Sequence, residues 1–153
     1  MVTKKKTTEL DKVLGNINPD KIQDYFNNYA DSFFRGEHAF TDYMKDMFRK
    51  KGYTQQDVFL RADMPERYGY KIISKEKHTV QRDVIIKLCL ASEFDLLETN
   101  RALKLYGLSE LYARIPRDSV IIVAINSKIK TVDEVNELLK QNGFEELYSF
   151  AIN

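Results

Sequence analysis

The sequence has few of the residues that interrupt helices or crosslink chains. It contains one cysteine, three prolines and six glycines among 153 residues. A single cysteine excludes a disulfide within one chain, and Cys89 lies in the apolar run VIIKLCLA, where we expect a buried free thiol and not a nucleophile. Between the few glycines and prolines, apolar residues recur at spacings of three and four. The chain is therefore expected to be nearly all helix.

Long apolar runs and catalytic motifs are also missing. No segment approaches the roughly 20 apolar residues that a membrane-spanning helix needs. The opening MVTKKKTTELDK has no apolar run behind its lysines and reads as a frayed start, not as a secretory signal. His38 and His78 have no partners at metal-ligand spacing, and the sequence has no phosphate-binding glycine loop or nucleophile motif. We therefore expect a non-enzymatic cytoplasmic protein with no metal, no other cofactor and no membrane partner.

Charge is unevenly distributed along the chain, although the net charge is only +1. Residues 41–92 hold eleven basic and seven acidic side chains, a net charge of +4. Residues 93–153 hold seven basic and ten acidic side chains, a net charge of −3. The basic middle favours a polyanionic partner, although a mildly charged, solvated face would give the same counts.

Residues 1–38 are interpreted as an amino-terminal helical extension. Asn18-Pro19-Asp20 predicts the start of a long helix, because proline is favoured in the first turn. Tyr25, Tyr29 and Phe33 are four residues apart and would form one aromatic stripe on that helix. We expect the stripe to pack on the rest of the chain or on a second subunit.

Helix start and stop signals predict three helices in the next forty residues. The first runs from about Ala39 to Lys51 and ends at Gly52. Its expected inward residues are Phe40, Tyr43, Met44 and Phe48. Thr54, with Asp57 three residues later, gives the capping pattern of a short helix over TQQDVFLRA. A third helix is predicted over residues 64–74, with Asp63 as its cap.

The span from Phe40 to Leu97 resembles the phage-repressor or XRE-type helix-turn-helix, a five-helix module that places its third helix in the DNA major groove. The resemblance rests on KKGYTQQDVFLRADMPERYGYKIISKEKHTVQRDVIIKLCLASEFDLLET. There the family typically has a Gly, then Ser/Thr-Gln at the start of the second helix, and an Ile near the end of the third. The stretches YGYKIIS and YARIPRD resemble, more narrowly, small bacterial regulators in which this module is extended at its carboxyl end. The resemblance implies a DNA-binding-type module over residues 39–112.

Three positions depart from the family pattern. Phe59 stands where the second helix usually has a small Ala, and Gly69 where the third usually has a bulky Ile. The two exchanges are expected to compensate, because a large side chain that faces a missing one conserves buried volume. Asp63 stands in the turn where Gly is frequent. Either it adopts a left-handed backbone or it caps the next helix.

The carboxyl-terminal half of the chain contains an internal repeat. ETNRALKLYGLSELY at residues 98–112 is matched 36 residues later by EVNELLKQNGFEELY at 134–148, and RDVII at 82–86 is matched by RDSVII at 117–122. We expect each copy, 82–112 and about 117–148, to be a helical hairpin, with the second stacked on the first. Residues 113–153 would then form a carboxyl-terminal hairpin that follows the module. Gly107 and Gly143 are the expected left-handed helix stops. Arg82 and Arg117 each precede an Asp at a helix start, a pattern usual for a local salt bridge or cap.

The predicted third helix has an inward and an outward face. Met64, Gly69 and Ile72 are expected to face the core, while Glu66, Arg67, Tyr70, Lys71 and Ser74 project outward. The resemblance implies that Arg67 reads a guanine and that Tyr70 contacts a thymine methyl group or a phosphate. The residues expected to contact DNA are Gln55, Gln56, Glu66, Arg67, Tyr70, Lys71, Ser74, Lys75 and Lys77.

Double-stranded DNA is thus the expected partner, and a repressor-type module contacts a half-site, so we also expect a homodimer. The alternative is a helical protein-binding adaptor on a helix-turn-helix scaffold, with its protein partner on the outward aromatic residues or on the terminal helices. Glu66 would repel phosphate, and Tyr68 and Tyr70 suit a protein interface as well as DNA. The two interpretations differ in the dependence of binding on salt.

Overall fold

A computed structural model describes residues 7–29, 38–129 and 131–150. All regular secondary structure within these ranges is helical, so the prediction of an all-helical protein is confirmed. The nine α-helices of the described ranges are α1 (Thr7–Leu14), α2 (Ile22–Asn28), α3 (Ala39–Lys51), α4 (Gln55–Arg61), α5 (Glu66–Ile73), α6 (Arg82–Ala91), α7 (Leu96–Tyr106), α8 (Pro116–Asn126) and α9 (Val132–Gln141). The chain divides into two compact units, Met1–Gly36 and Glu37–Asn153.

Among its described residues, the first unit begins with a helix, α1, in the stretch where the sequence predicted a frayed start. α1 has Glu9 in its first turn and Lys12 in its last, the charge order that a helix dipole favours. The predicted cap at Asn18 is present, since its side chain accepts a 3.0 Å hydrogen bond from the amide of Asp20. The predicted long helix is wrong, because the cap precedes a 3-10 helix over Pro19–Lys21 and α2 that follows has only seven residues. α2 ends at Asn28, so only Tyr25 of the expected aromatic stripe lies inside this helix. Phe33 lies outside the described residues.

α3 supplies one wall of the core of the second unit. The four residues predicted to point inward, Phe40, Tyr43, Met44 and Phe48, are all buried. Gly52 ends the helix in the left-handed conformation, with φ of 83°, as predicted. The hydroxyl of Thr41 donates a 2.6 Å hydrogen bond to the carbonyl of Ile73. This bond fastens α3 to the end of α5.

A sharp turn separates α4 from α5. Thr54 and Asp57 form a complete capping box at the start of α4, as predicted. Of the two alternatives for Asp63, the structure has the left-handed one, with φ of 52°. α5 therefore begins at Glu66 and not at residue 64, because Asp63 and the extended Pro65 hold the chain out of the helical region. The helix ends at Ile73, one residue before the predicted end.

The predicted compensation between Phe59 and Gly69 is confirmed. A Cβ atom added to Gly69 would lie 2.5 Å from Cδ1 of Phe59. The ring of Phe59 is 1% exposed and therefore fills the space that a side chain at position 69 would occupy. α4 and α5 approach each other closely because a large residue on one faces the missing side chain on the other.

The two copies of the internal repeat form the same local structures. α6 and α7 make the first hairpin, and α8 and α9 make the second. In the first copy, Oδ1 of Asn100 accepts a 2.8 Å hydrogen bond from the amide of Leu111. In the second, Oδ1 of Asn136 accepts an equal bond from the amide of Leu147. Gly107 and Gly143 are left-handed, with φ of 96° and 80°, as predicted.

Two ion pairs join the copies reciprocally. Arg82 of the first copy donates a 2.6 Å hydrogen bond to Asp118 of the second. Arg117 of the second donates bonds of 3.0 and 2.9 Å to the two carboxylate oxygens of Asp83 in the first, and these bonds raise the pKa of the guanidinium. The expectation of a local Arg–Asp pair is wrong, because each pair crosses between the copies.

Main-chain bonds follow the same reciprocal pattern. The amide of Tyr112, at the end of the first copy, donates a 3.0 Å bond to Asp118. The amide of Tyr148, at the end of the second copy, donates a 3.0 Å bond to Asp83. In addition, α6 contacts α9 and α7 contacts α8. The second hairpin therefore packs on the first, as expected, and the contacts between them are reciprocal.

Candidate nucleic-acid interface

α5 buries one face and presents the other to solvent. Gly69, Ile72 and Ile73 are buried, and Met64, just before the helix, is also buried. The expected orientation of Met64, Gly69 and Ile72 is confirmed. The outward residues are Glu66, Arg67, Tyr70 and Ser74, which are exposed, and Lys71, which is half-buried.

Tyr70 is held in a fixed position on this outward face. Its ring lies 5.0 Å from the ring of Phe59, at an interplanar angle of 82°, an edge-to-face arrangement that favours one orientation. The side chain is 39% exposed. Tyr70 therefore presents its outer edge to solvent from a rigid base.

The start of α4 contacts the start of α5 through polar side chains. Nε2 of Gln56 donates a 2.9 Å hydrogen bond to Oε1 of Glu66. Both side chains are exposed, whereas Gln55 is half-buried. The bond satisfies one carboxylate oxygen of Glu66, and the sequence did not predict it because the two residues lie in different helices.

The basic loop that follows α5 is supported by Tyr106 of α7. Nζ of Lys75 lies 5.2 Å from the centre of the Tyr106 ring, and the ring of His78 stacks on the same tyrosine at 5.0 Å. The hydroxyl of Tyr106 accepts a 2.9 Å bond from the amide of Thr79. Tyr106 thus fixes a loop that would otherwise depend on short-range turns.

The remaining lysine of this loop is held by α5 itself. Nζ of Lys77 lies 5.1 Å from the centre of the Tyr68 ring. The amide of Lys77 donates a 3.1 Å bond to the carbonyl of Lys71. Cation–π contacts at exposed sites contribute about 0.5–1 kcal/mol, so they restrict the ammonium groups without neutralising them.

Four cations surround the outward face of α5, namely Arg67, Lys71, Lys75 and Lys77. Within the described part of the chain none of them forms an ion pair. Arg61, another base of the middle segment, donates a 2.7 Å bond to the carbonyl of Ala91 and lies over the ring of Tyr53. Arg61 thus donates to a main-chain carbonyl, whereas Lys75 and Lys77 have only ring contacts and keep their ammonium groups without an ion pair.

Reactive groups of other kinds do not cluster at this surface. Cys89 is a buried free thiol, as predicted, and burial raises its pKa above the ordinary value of 9.0. Across residues 7–29, 38–129 and 131–150, no group of three or more His, Cys, Asp or Glu side chains could hold a metal ion. None of the helices described there has the length and apolar character that crossing a bilayer requires.

A shallow cleft of about 380 Å³ lies beside the turn between α4 and α5. It is lined by Phe59, Leu60, Asp63, Met64, Pro65 and Phe150. Leu60 is 82% exposed, so the cleft has an apolar rim. Phe150 brings the carboxyl-terminal segment to the amino end of α5, a contact that the sequence did not predict.

The comparisons with known proteins found no match to this chain. No protein-family model matches the chain, and the comparisons with curated proteins and with solved structures gave no match. The residues themselves define an all-helical protein with a repeated hairpin and a basic, aromatic outer helix face.

Proposed function

We propose that this protein is a sequence-specific DNA-binding transcriptional regulator. In this proposal, α3 to α7 form the repressor-like five-helix module and α5 is the recognition helix. The observation that carries the proposal is the set of four cations without ion pairs around the outward face of α5. Uncompensated Lys and Arg side chains on one face supply the sequence-independent part of DNA affinity.

The first turn of α5 would carry the base contacts. Arg67 is exposed there, and a guanidinium can donate two hydrogen bonds to the major-groove edge of guanine. Tyr70, one turn later, would contact a thymine methyl group or a phosphate. Glu66, already bonded to Gln56 at 2.9 Å, retains acceptor capacity for the amino group of cytosine.

The phosphate contacts would lie on both sides of that turn. Lys71, Lys75 and Lys77 follow the base-contacting residues along the helix and its loop, and Ser74 is exposed between them. Gln55, at the first position of α4, would donate a hydrogen bond to the DNA backbone from the opposite side of the first turn of α5. A homodimer on a palindromic site would place two such helices about one DNA turn apart.

A selection of bound sequences from random double-stranded DNA, with the purified full-length protein, tests the proposal. We expect one enriched motif and an affinity that falls steeply with ionic strength, by a slope of about −0.9 per neutralised phosphate. A scrambled motif of the same length is the control. Absence of binding to any DNA at low salt would overturn the proposal.

The exposed Leu60 favours one alternative, a protein-binding adaptor. Leu60 and Tyr70 flank the turn between α4 and α5, and the cleft beside Leu60 is lined by apolar side chains together with Asp63. Binding through such a surface would depend little on salt. The adaptor function would be supported if the wild type bound no DNA and if Leu60→Asp abolished binding of a protein partner.

A further inference from the structure

α5 has little local support for a helix of its length. It has eight residues, and its amino-terminal cap is Pro65, with no side-chain cap bond. Gly69 lies in its middle, where glycine costs about 1 kcal/mol relative to alanine. Isolated helices this short are not stable in water. Packing from elsewhere in the molecule must therefore hold the first turn of α5 in place.

The segment that follows the second repeat reaches this first turn. The ring of Phe150 lies 4.8 Å from the ring of Tyr68, and Phe150 lines the cleft that contains Met64 and Pro65. These residues bracket the start of α5. Phe150 thus brings the carboxyl-terminal segment into contact with the helix.

The segment that carries Phe150 is tied to α6 by two bonds of Tyr148. Its amide donates to Asp83 at 3.0 Å, and its carbonyl accepts a 2.9 Å bond from Nζ of Lys87. Lys87 is only 3% exposed, and its ammonium also lies 5.2 Å from the centre of the Phe150 ring. A buried ammonium requires hydrogen-bond partners, so the segment and Lys87 hold each other in place.

We propose that residues 147–150 form a strap through which the second repeat positions the recognition helix, with Phe150 and Lys87 as positioning residues. The effect of the strap on DNA binding rests on the proposed function, whereas its effect on the position of α5 does not. The strap sets the first turn of α5, the part that would carry the base contacts. The second repeat thereby controls DNA affinity without contacting DNA.

Hydrogen exchange of the full chain tests the strap without DNA. We expect Phe150→Ala to speed exchange of the amides in α5 by about tenfold, the change that removal of one aromatic pair corresponds to, with α7 and α9 unchanged. Phe150→Leu should restore most of the protection. Tyr112→Ala is the matched control, because Tyr112 is the first-copy equivalent of Tyr148 and is exposed.

DNA affinity provides the second measurement. We expect Phe150→Ala to bind the selected site several-fold more weakly with an unchanged salt slope, because Phe150 would contact no phosphate. Unchanged exchange of α5, a uniform rise over the whole chain, or an equal effect of Tyr112→Ala would overturn the strap. If the wild type binds no DNA, the proposed function fails while the exchange result still decides on the strap.

Discussion

Arg82 donates a 2.6 Å hydrogen bond to Asp118, a carboxylate that lies 36 residues further along the chain and is only 3% exposed. The same carboxylate accepts the amide of Tyr112. Asp118 therefore lies at the start of the second repeat and accepts a hydrogen bond from the end of the first. Asp83 makes the reciprocal contacts, with Arg117 and with the amide of Tyr148, so each hairpin stabilises the other.

Replacement of Asp118 tests whether these reciprocal contacts stabilise the two hairpins. Asp118→Asn should lower the free energy of unfolding by roughly 2–4 kcal/mol, somewhat less than a fully buried pair because Arg82 keeps some contact with solvent. Asp83→Asn should cost less, since Asp83 is the more exposed of the two carboxylates. Urea denaturation of both variants measures the difference. A larger decrease for Asp83→Asn would contradict the assigned roles.

The contact of Phe59 with Gly69 predicts strong coupling between α4 and α5. Gly69→Ala should destabilise the protein, because overpacking usually costs about 1–3 kcal/mol. The gain in helix propensity offsets about 1 kcal/mol of that cost. In a Phe59→Leu background the same change should become neutral or stabilising, because space is then available for the new methyl group. A double-mutant cycle by thermal denaturation measures the coupling. Additive effects would mean that the Phe59 ring is not what opposes a side chain at position 69.

Alkaline pH should unfold the protein through its buried thiol. The pKa of Cys89 is raised by burial above its ordinary value of 9.0, so the unfolded state loses this proton first. The contribution of the thiol to the free energy of unfolding should therefore be constant below pH 9.0 and fall as the pH rises above it. The lowered pKa of Lys87 acts in the opposite direction, because its burial cost is relieved as it deprotonates.

Cys89→Ala isolates the contribution of the thiol. Buried Tyr43 and Tyr106 also have raised pKa values, but from an ordinary value of 10.0. Between pH 9.0 and pH 10.0 the variant should thus lose stability less steeply than the wild type, when urea midpoints are compared. Equal slopes over that interval would contradict the prediction.

Base reading and phosphate binding should separate by substitution. Arg67→Ala should weaken binding to the selected site by about 1–3 kcal/mol and relax the choice of base at one position, because a bidentate donor is removed. Fluorescence anisotropy with single-base variants of the site measures both effects. An equal weakening on every site would assign Arg67 to phosphate.

Lys75→Ala and Lys77→Ala should instead weaken all DNA alike. Each should make the salt slope shallower by about one unit for each phosphate that is no longer neutralised. Lys140→Ala is the control, because Lys140 lies in the second repeat and pairs with Glu146 at 3.6 Å. A slope unchanged by the first two substitutions, or changed equally by the third, would remove this loop from the interface.

The sequence predicted the parts of the site that depend on near neighbours. Outward orientation of Arg67 and Tyr70 followed from helical spacing, and the capping box of Thr54 with Asp57 followed from their separation of three residues. The sequence placed the start of α5 two residues too early. The reason is that Asp63 could either cap the helix or turn the chain, and only the packed turn decided between these two conformations.

Other features of the site were set by contacts between distant residues. Tyr106 supports the basic loop from another helix, and Phe150 reaches Tyr68 from the end of the described chain. Neither contact has a local pattern, since a residue in an apolar stripe can face any of several neighbours. Which base stays free of an internal contact, such as Arg67, and which is engaged, such as Arg61, depended on the same packing.

The sequence by itself determined the helical class, the left-handed stops at Gly107 and Gly143, and the existence of two matching hairpins. These depend on spacing, capping and backbone freedom, which act within a few residues. Only the tertiary structure decided that Arg82 pairs with Asp118 and Arg117 with Asp83, and not each with its neighbour. The sequence repeats the same pair of residues in both copies, and the reciprocal packing of the two hairpins selects the crossed partners because it brings each guanidinium to the other copy's carboxylate.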